Sequence, residues 1–214
     1  MILYNYFRSS ASFRVRIALN LKGLAYEYRA VHLSRHGGEQ FTPEYRAVNP
    51  QALVPVLEHE GRRFTQSLAI LEYLEELEPS PPLLPRVSEE RARVRALCLV
   101  VACEMHPLNN LRVLNYVTGT LGASAEAKLA WYRHWTALGL ETLEADIASS
   151  AHSGRFCHGE TPTLADCCLI PQLFNARRFD CDLSAYPRLV EIEKNCLALP
   201  AFSAALPERQ PDSE

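Results

Sequence analysis

A chain of 214 residues can bury one large core or two modest ones, so two domains of ordinary size are expected. With 48% hydrophobic residues, 22% charged residues and a net charge of -3, it offers no basic field for nucleic acid. Its opening residues lack a basic stretch followed by an apolar one, and nowhere do ~18 apolar residues run unbroken. Neither export nor membrane insertion is indicated, and a cytoplasmic location is expected.

Residues 2–6 are apolar and aromatic and read as a strand, 12–22 are amphipathic and stopped by Gly23, and 26–33 alternate again, completing a βαβ unit. After a break at Gly37-Gly38 and a short helical candidate at 43–47, residues 54–59 and 63–65 read as two short strands around a turn at Glu60-Gly61. Ser67 then opens an apolar-periodic run through Ile70, Leu71, Leu74 and Leu77 that ends before Pro79. The predicted order is β-α-β-α-β-β-α, an α/β domain.

The segment Glu78-Pro79-Ser80-Pro81-Pro82-Leu83-Leu84-Pro85 holds four prolines in eight residues, which bars helix and strand ladders, and it is read as a linker. Beyond it the pattern is helical, with long candidates at 88–116 and 123–150 and shorter ones after Thr163 and Pro187. The expected domains are therefore 1–84, α/β, and 85–214, an all-α helical bundle. Thr163-Leu164-Ala165-Asp166 reads as a capping box that starts a helix. The polar tail, 207–214, is expected to be loosely ordered.

All seven cysteines lie beyond the proline-rich linker, from Cys98 onward, their number is odd and no Cys-x-x-Cys pair occurs. That spacing argues against a disulfide framework or a metal site and for small buried thiols in a reducing compartment.

Three short motifs have chemical readings. Arg8-Ser9-Ser10-Ala11-Ser12 joins the first strand to the first helix, so hydroxyls and amides gather where a helix N-terminus carries about half a positive charge. That is an anion or thiolate site, or simply an N-cap. A cis Val54-Pro55 bond would expose the Val54 amide to an extended ligand; otherwise the proline only opens a strand. Gln66-Ser67 is either a helix cap or an anion site built from the Ser67 hydroxyl and nearby amides.

In their order and spacing these pieces resemble the glutathione transferase superfamily, and within it the zeta class, over nearly the whole chain. The resemblance is carried by Arg8-Ser9-Ser10-Ala11-Ser12-Phe13-Arg14-Val15-Arg16-Ile17-Ala18-Leu19, Asn49-Pro50-Gln51, Val54-Pro55-Val56-Leu57 and Gln66-Ser67 followed by Ala69-Ile70-Leu71-Glu72-Tyr73-Leu74. Further on it is carried by His106-Pro107-Leu108-Asn109-Asn110, Thr163-Leu164-Ala165-Asp166, Ala176-Arg177-Arg178-Phe179 and Gln210-Pro211-Asp212. It implies a thioredoxin-like N-terminal domain that binds glutathione, a helical domain that binds substrate, and a homodimer.

It further implies that Ser9, with Ser10 and the Ala11 amide, holds the glutathione thiolate. Val54-Pro55 would clamp the cysteinyl backbone, Gln66 and Ser67 the γ-glutamyl end, and Gln51 the glycyl side, with His106 and Asn110 near the cofactor. The class is similar to maleylacetoacetate and maleylpyruvate isomerases, in which a thiolate adds to a cis double bond, the skeleton rotates and elimination restores the alkene. Their substrates are small dicarboxylates, for which Arg8, Arg112 and Arg178 are the candidate clamps. Relatives often have cysteine where this chain has Ala11, so reductive dehalogenation is not expected. Maleylpyruvate isomerisation, conjugation of glutathione to α-haloacids and a non-catalytic scaffold role are the alternatives.

Overall fold

A computed structural model describes residues 1–214. The chain forms two compact units, Met1–Leu83 together with Leu197–Glu214, and Leu84–Cys196. No helix is long and apolar enough to cross a membrane.

The first unit contains β1 (Ile2–Asn5), α1 (Ser10–Lys22), β2 (Glu27–Ala30), α2 (Pro43–Val48), β3 (Val56–His59), β4 (Arg62–Thr65) and α3 (Ser67–Leu77), in the order the sequence predicts. Its sheet runs β2-β1-β3-β4. β1 is parallel to β2, antiparallel to β3, and β3 is antiparallel to β4. The register sets Leu3 between Tyr28 and Leu57, and Leu3 and Leu57 are both fully buried. Tyr4, Val31, Tyr45 and Val56 form one core cluster, with Ile2, Val48 and Val54 packed on it.

Local chemistry places each helix end. Ser9 caps α1 by accepting the Ser12 amide at 3.2 Å, and Gly23 closes it in the left-handed region at φ 66, where glycine meets no Cβ penalty. Thr42 caps α2 through the Tyr45 amide at 3.3 Å, and Pro43 occupies the first helical position. The buried Lys22 ammonium ties α1 to α3 and the linker, donating to Glu75 at 2.5 Å, Glu78 O at 2.6 Å and Pro81 O at 2.7 Å. The proline-rich stretch forms neither helix nor strand, as its composition dictates.

The second unit is helical, with α4 (Ser88–Leu99), a π-helical segment Val100–Met105, α5 (Leu111–Gly119), α6 (Ala125–Ala148), α7 (Leu164–Arg178) and α8 (Pro187–Leu197). The continuous helix expected at 88–116 is interrupted, because Pro107 has no amide to donate and the chain restarts only at Asn110, which caps α5 through the Arg112 amide at 3.1 Å. At Gly139 of α6 an added Cβ would lie 2.2 Å from the Met105 side chain, so glycine permits a close approach to the π-helical segment. The Asp166 carboxylate starts α7 by accepting the Thr163 amide at 2.7 Å, the Thr163 hydroxyl at 2.9 Å and the Cys157 amide at 2.9 Å. Burial holds its pKa above the usual carboxylate range in spite of these bonds.

The tail differs from expectation. Residues 197–214, placed by the sequence with the helical domain and read in part as loose, pack in the first unit through a short α9 (Pro200–Ser203) and a 3-10 turn at Pro207–Arg209. Asn20 donates to Ala201 O at 2.9 Å, and the fully buried Arg16 donates to Ala205 O at 3.0 and 3.2 Å. The Arg16 pKa is lowered by burial to about 10.

Candidate functional site

The thiolate candidates occupy the first turn of α1. Ser9 is the cap, Ser10 and Ala11 are its first two helical residues, and Phe13 N returns to Ser9 O at 2.8 Å. A first-turn amide such as that of Ala11 has no intrahelical acceptor and faces an incoming anion. Arg8, just before the cap, donates to the Tyr6 hydroxyl at 3.2 Å and to Glu214 at 3.4 Å, and lies 4.8 Å from the Phe7 ring centre.

The loop before β3 is fastened by Asn49 and Tyr45. Asn49 accepts the Gln51 amide at 3.1 Å and donates to Leu53 O at 2.8 Å, while the Tyr45 hydroxyl donates to the same carbonyl at 2.7 Å. Burial pushes the Tyr45 phenol pKa up, so it remains a donor. The Val54-Pro55 bond is cis, the rarer of the two sequence readings.

At the start of α3 the structure separates two residues that the sequence treats as one motif. Gln66 holds the cap position at φ 66, a left-handed conformation uncommon outside glycine, and its side chain makes no capping bond. It reaches Gln51 instead, Nε2 to Oε1 at 3.2 Å. Ser67 is already helical, and its hydroxyl accepts from Arg14 Nη1 at 3.1 Å.

Arg14 was missed by sequence reasoning. It is 1% exposed, and apart from the Ser67 bond its Nε and Nη2 find no protein acceptor. A buried guanidinium without a counter-charge is costly. Set behind Ser67, it adds a full positive charge to the dipole at the α3 N-terminus, and so favours a carboxylate there. Arg16, Asn20 and Lys22 share the same helix, so the sequence gives Arg14 no mark of its own.

The remaining candidates belong to the second unit. His106 follows the π-helical segment, Asn110 uses its oxygen as the α5 cap, and Arg112 is exposed. Arg178 ends α7, lies 4.9 Å from the Phe179 ring centre and reaches Asn175 Oδ1 at 3.5 Å. Glu90, His152 and His158 also gather, their ligand-type atoms within 4.8 Å of one another. Arg93, however, donates to His158 Nδ1 at 3.2 Å, which leaves the proton on Nε2, 3.6 Å from Glu90. The trio is thus a charge cluster anchored by the Arg93–His158 hydrogen bond, with both histidines within 3.7 Å of Glu90.

Residues 3–82 match the family model described as glutathione S-transferase, N-terminal domain. The chain is 52% identical over 213 residues, 100% of itself and 98% of the relative, to a probable maleylacetoacetate isomerase of Vibrio cholerae. It superposes with a TM-score of 0.97, at 48% identity and full coverage of both chains, on a bacterial maleylpyruvate isomerase described as a zeta-class glutathione S-transferase. The chain belongs to the zeta-class glutathione transferase family.

A maleylacetoacetate isomerase of Methylobacterium extorquens, 44% identical with a TM-score of 0.96 and full coverage of both chains, was crystallised with malonate and glutathione. In this zeta-class chain the residues from Gln51 to Ser67 and the first turn of α1 all lie within one unit. Its cofactor is glutathione, and the uncompensated Arg14 beside Ser67 suits that anionic tripeptide.

Proposed function

We propose that this protein is a glutathione-dependent cis-trans isomerase that converts maleylacetoacetate to fumarylacetoacetate in aromatic amino acid breakdown, acting as a cytoplasmic homodimer. The observation that carries the reading is the buried Arg14–Ser67 pair, which sets a positive charge without a protein counter-charge behind the α3 N-terminus. A protein that served only as a scaffold would gain nothing from that desolvated charge. Full-length identity to isomerases supports the reaction class.

Ser67 and the α3 amides, backed by Arg14, hold the γ-glutamyl carboxylate; Gln66, fixed by Gln51, orients that end; and the Val54 backbone aligns the middle of the tripeptide. Ser9 and the Ser10 and Ala11 amides stabilise negative charge on sulfur, which keeps the nucleophile ionised near neutral pH. Bound glutathione supplies a thiolate that adds to the cis alkene, permits rotation about the former double bond, and departs unchanged. Arg8, Arg112 and Arg178 clamp the substrate carboxylates and offset charge developing on the adjacent carbonyl. Ala11 carries no second thiol, so a mixed disulfide has nothing here to resolve it.

Maleylpyruvate is the second substrate reading, favoured by the full-length similarity to a maleylpyruvate isomerase. Loss of the cis-alkene absorbance of each compound, followed with and without glutathione, ranks the two by kcat/KM. Failure of both, with glutathione still bound, would overturn the isomerase reading in favour of a conjugating transferase.

A further inference from the structure

The closing Gln210-Pro211-Asp212 motif takes no part in the contacts proposed above, yet its segment converges on the loop between β1 and α1. Asp212 Oδ2 accepts the Phe7 amide at 3.2 Å, and its Oδ1 accepts the Tyr28 hydroxyl from β2. Burial and the bond to Asp212 push the Tyr28 phenol pKa up, which keeps the hydroxyl a donor. Glu214 accepts from Arg35 at 2.7 Å, His32 Nε2 at 3.1 Å and Arg8 at 3.4 Å. Buried Arg16 meanwhile donates to Phe7 O at 3.0 Å and to Tyr6 O at 3.4 Å while also holding Ala205 O. Gln210 is itself anchored, its Nε2 donating to Leu206 O at 2.8 Å and Ala204 O at 2.9 Å.

Residue 7 is therefore gripped through its amide by Asp212 and through its carbonyl by Arg16, two residues before the α1 cap. We infer that the segment 210–214 is a clasp that positions the Phe7-Arg8-Ser9 turn for thiolate stabilisation, with Asp212 as its positioning residue. The inference rests on the reading of the first turn of α1 as the thiolate site. Hydrogen bonds weaken steeply with small displacements, so a turn released at Phe7 holds sulfur less well without losing the distant γ-glutamyl contacts.

The test is the pKa of the glutathione thiol bound to the full-length protein, read from thiolate ultraviolet absorbance, for Asp212→Ala, Asp212→Asn and Ser9→Ala. Asp212→Ala is expected to raise that pKa by about one unit and to lower kcat at neutral pH about three- to fivefold, with the glutathione KM within about threefold of wild type. Asp212→Asn keeps an oxygen for the Phe7 amide and is expected to behave like wild type. If the carboxylate acted only through its charge, both substitutions would lower the thiol pKa, since a negative neighbour would be gone. A lower Tm with an unchanged thiol pKa in Asp212→Ala would make the role merely structural; either result overturns the clasp. Ser9→Ala separately tests the underlying reading, because an unchanged thiol pKa there removes Ser9 as thiolate partner whatever Asp212→Ala does. If Asp212→Ala does not fold, Tyr28→Phe decides the matter: a smaller rise in the same direction supports the clasp, and no rise overturns it.

Discussion

Replacing Arg14 by methionine separates what the buried guanidinium does for the fold from what it does for the ligand. Its Nη1 lies 3.1 Å from Ser67 Oγ. A carboxylate oxygen bound to that hydroxyl at a further ~2.7 Å sits no more than about 6 Å from the charge. At an effective dielectric constant of ~20, two unit charges at that distance attract by about 3 kcal/mol, or roughly 100-fold in Kd. The unliganded protein should lose little, because two of the guanidinium nitrogens have no protein acceptor and methionine fills similar volume without desolvating a charge. Calorimetric titration with glutathione should therefore show Arg14→Met weakened by one to two orders of magnitude, while urea unfolding without ligand changes by no more than about 1 kcal/mol. Arg14→Lys keeps the charge and should fall between. A Kd within about threefold of wild type, or a loss of about 3 kcal/mol in the unliganded protein, would refute the reasoning by placing the arginine's partner inside the protein.

Three other outcomes are expected. Of Ser9→Ala and Ser10→Ala, the first should cause the larger fall in turnover; equal and trivial effects would move thiolate stabilisation to the backbone amides. Burial raises the Asp166 pKa above its unfolded value of 3.8, so the stability linked to it is fully present below that value and is lost as pH rises through the folded pKa. Asp166→Asn keeps one of the two acceptor oxygens, so it should lower stability by roughly 1–2 kcal/mol by leaving either the Thr163 or the Cys157 amide unpaired, and should flatten the decline that sets in above pH 3.8 in chemical denaturation. With Ellman's reagent the native protein should show one fast thiol, the exposed Cys103, and Cys103→Ser should abolish that phase. Cys98, Cys157 and Cys196 are buried with raised thiol pKa values and should react only on unfolding.

Much of the fold was legible because punctuation and period coincide. Gly23 ends α1, the prolines from 79 to 85 break the chain, and the apolar runs at 2–6 and 54–59 match β1 and β3, buried at Leu3, Val56 and Leu57. The break in the helix expected at 88–116 was hidden because apolar spacing continues through Leu108, Leu111 and Leu114, while the proline that stops it was read as part of a motif. The return of residues 197–214 to the first unit had no local signal, since it depends on Arg16, Asn20 and Asp212 meeting groups far away in sequence. In the site, Ser9 and Ser67 stood out through their position at helix starts. Arg14 did not, because almost every residue of α1 is buried and a helix without a solvent stripe gives no contrast against which a charged residue looks misplaced.

The most direct test of the account is a count of glutathione against product. Maleylacetoacetate, incubated with enzyme and substoichiometric glutathione, should go completely to the trans isomer with the free thiol fully recovered at the end. One thiol lost per molecule of product, or no trans product at all, would contradict it.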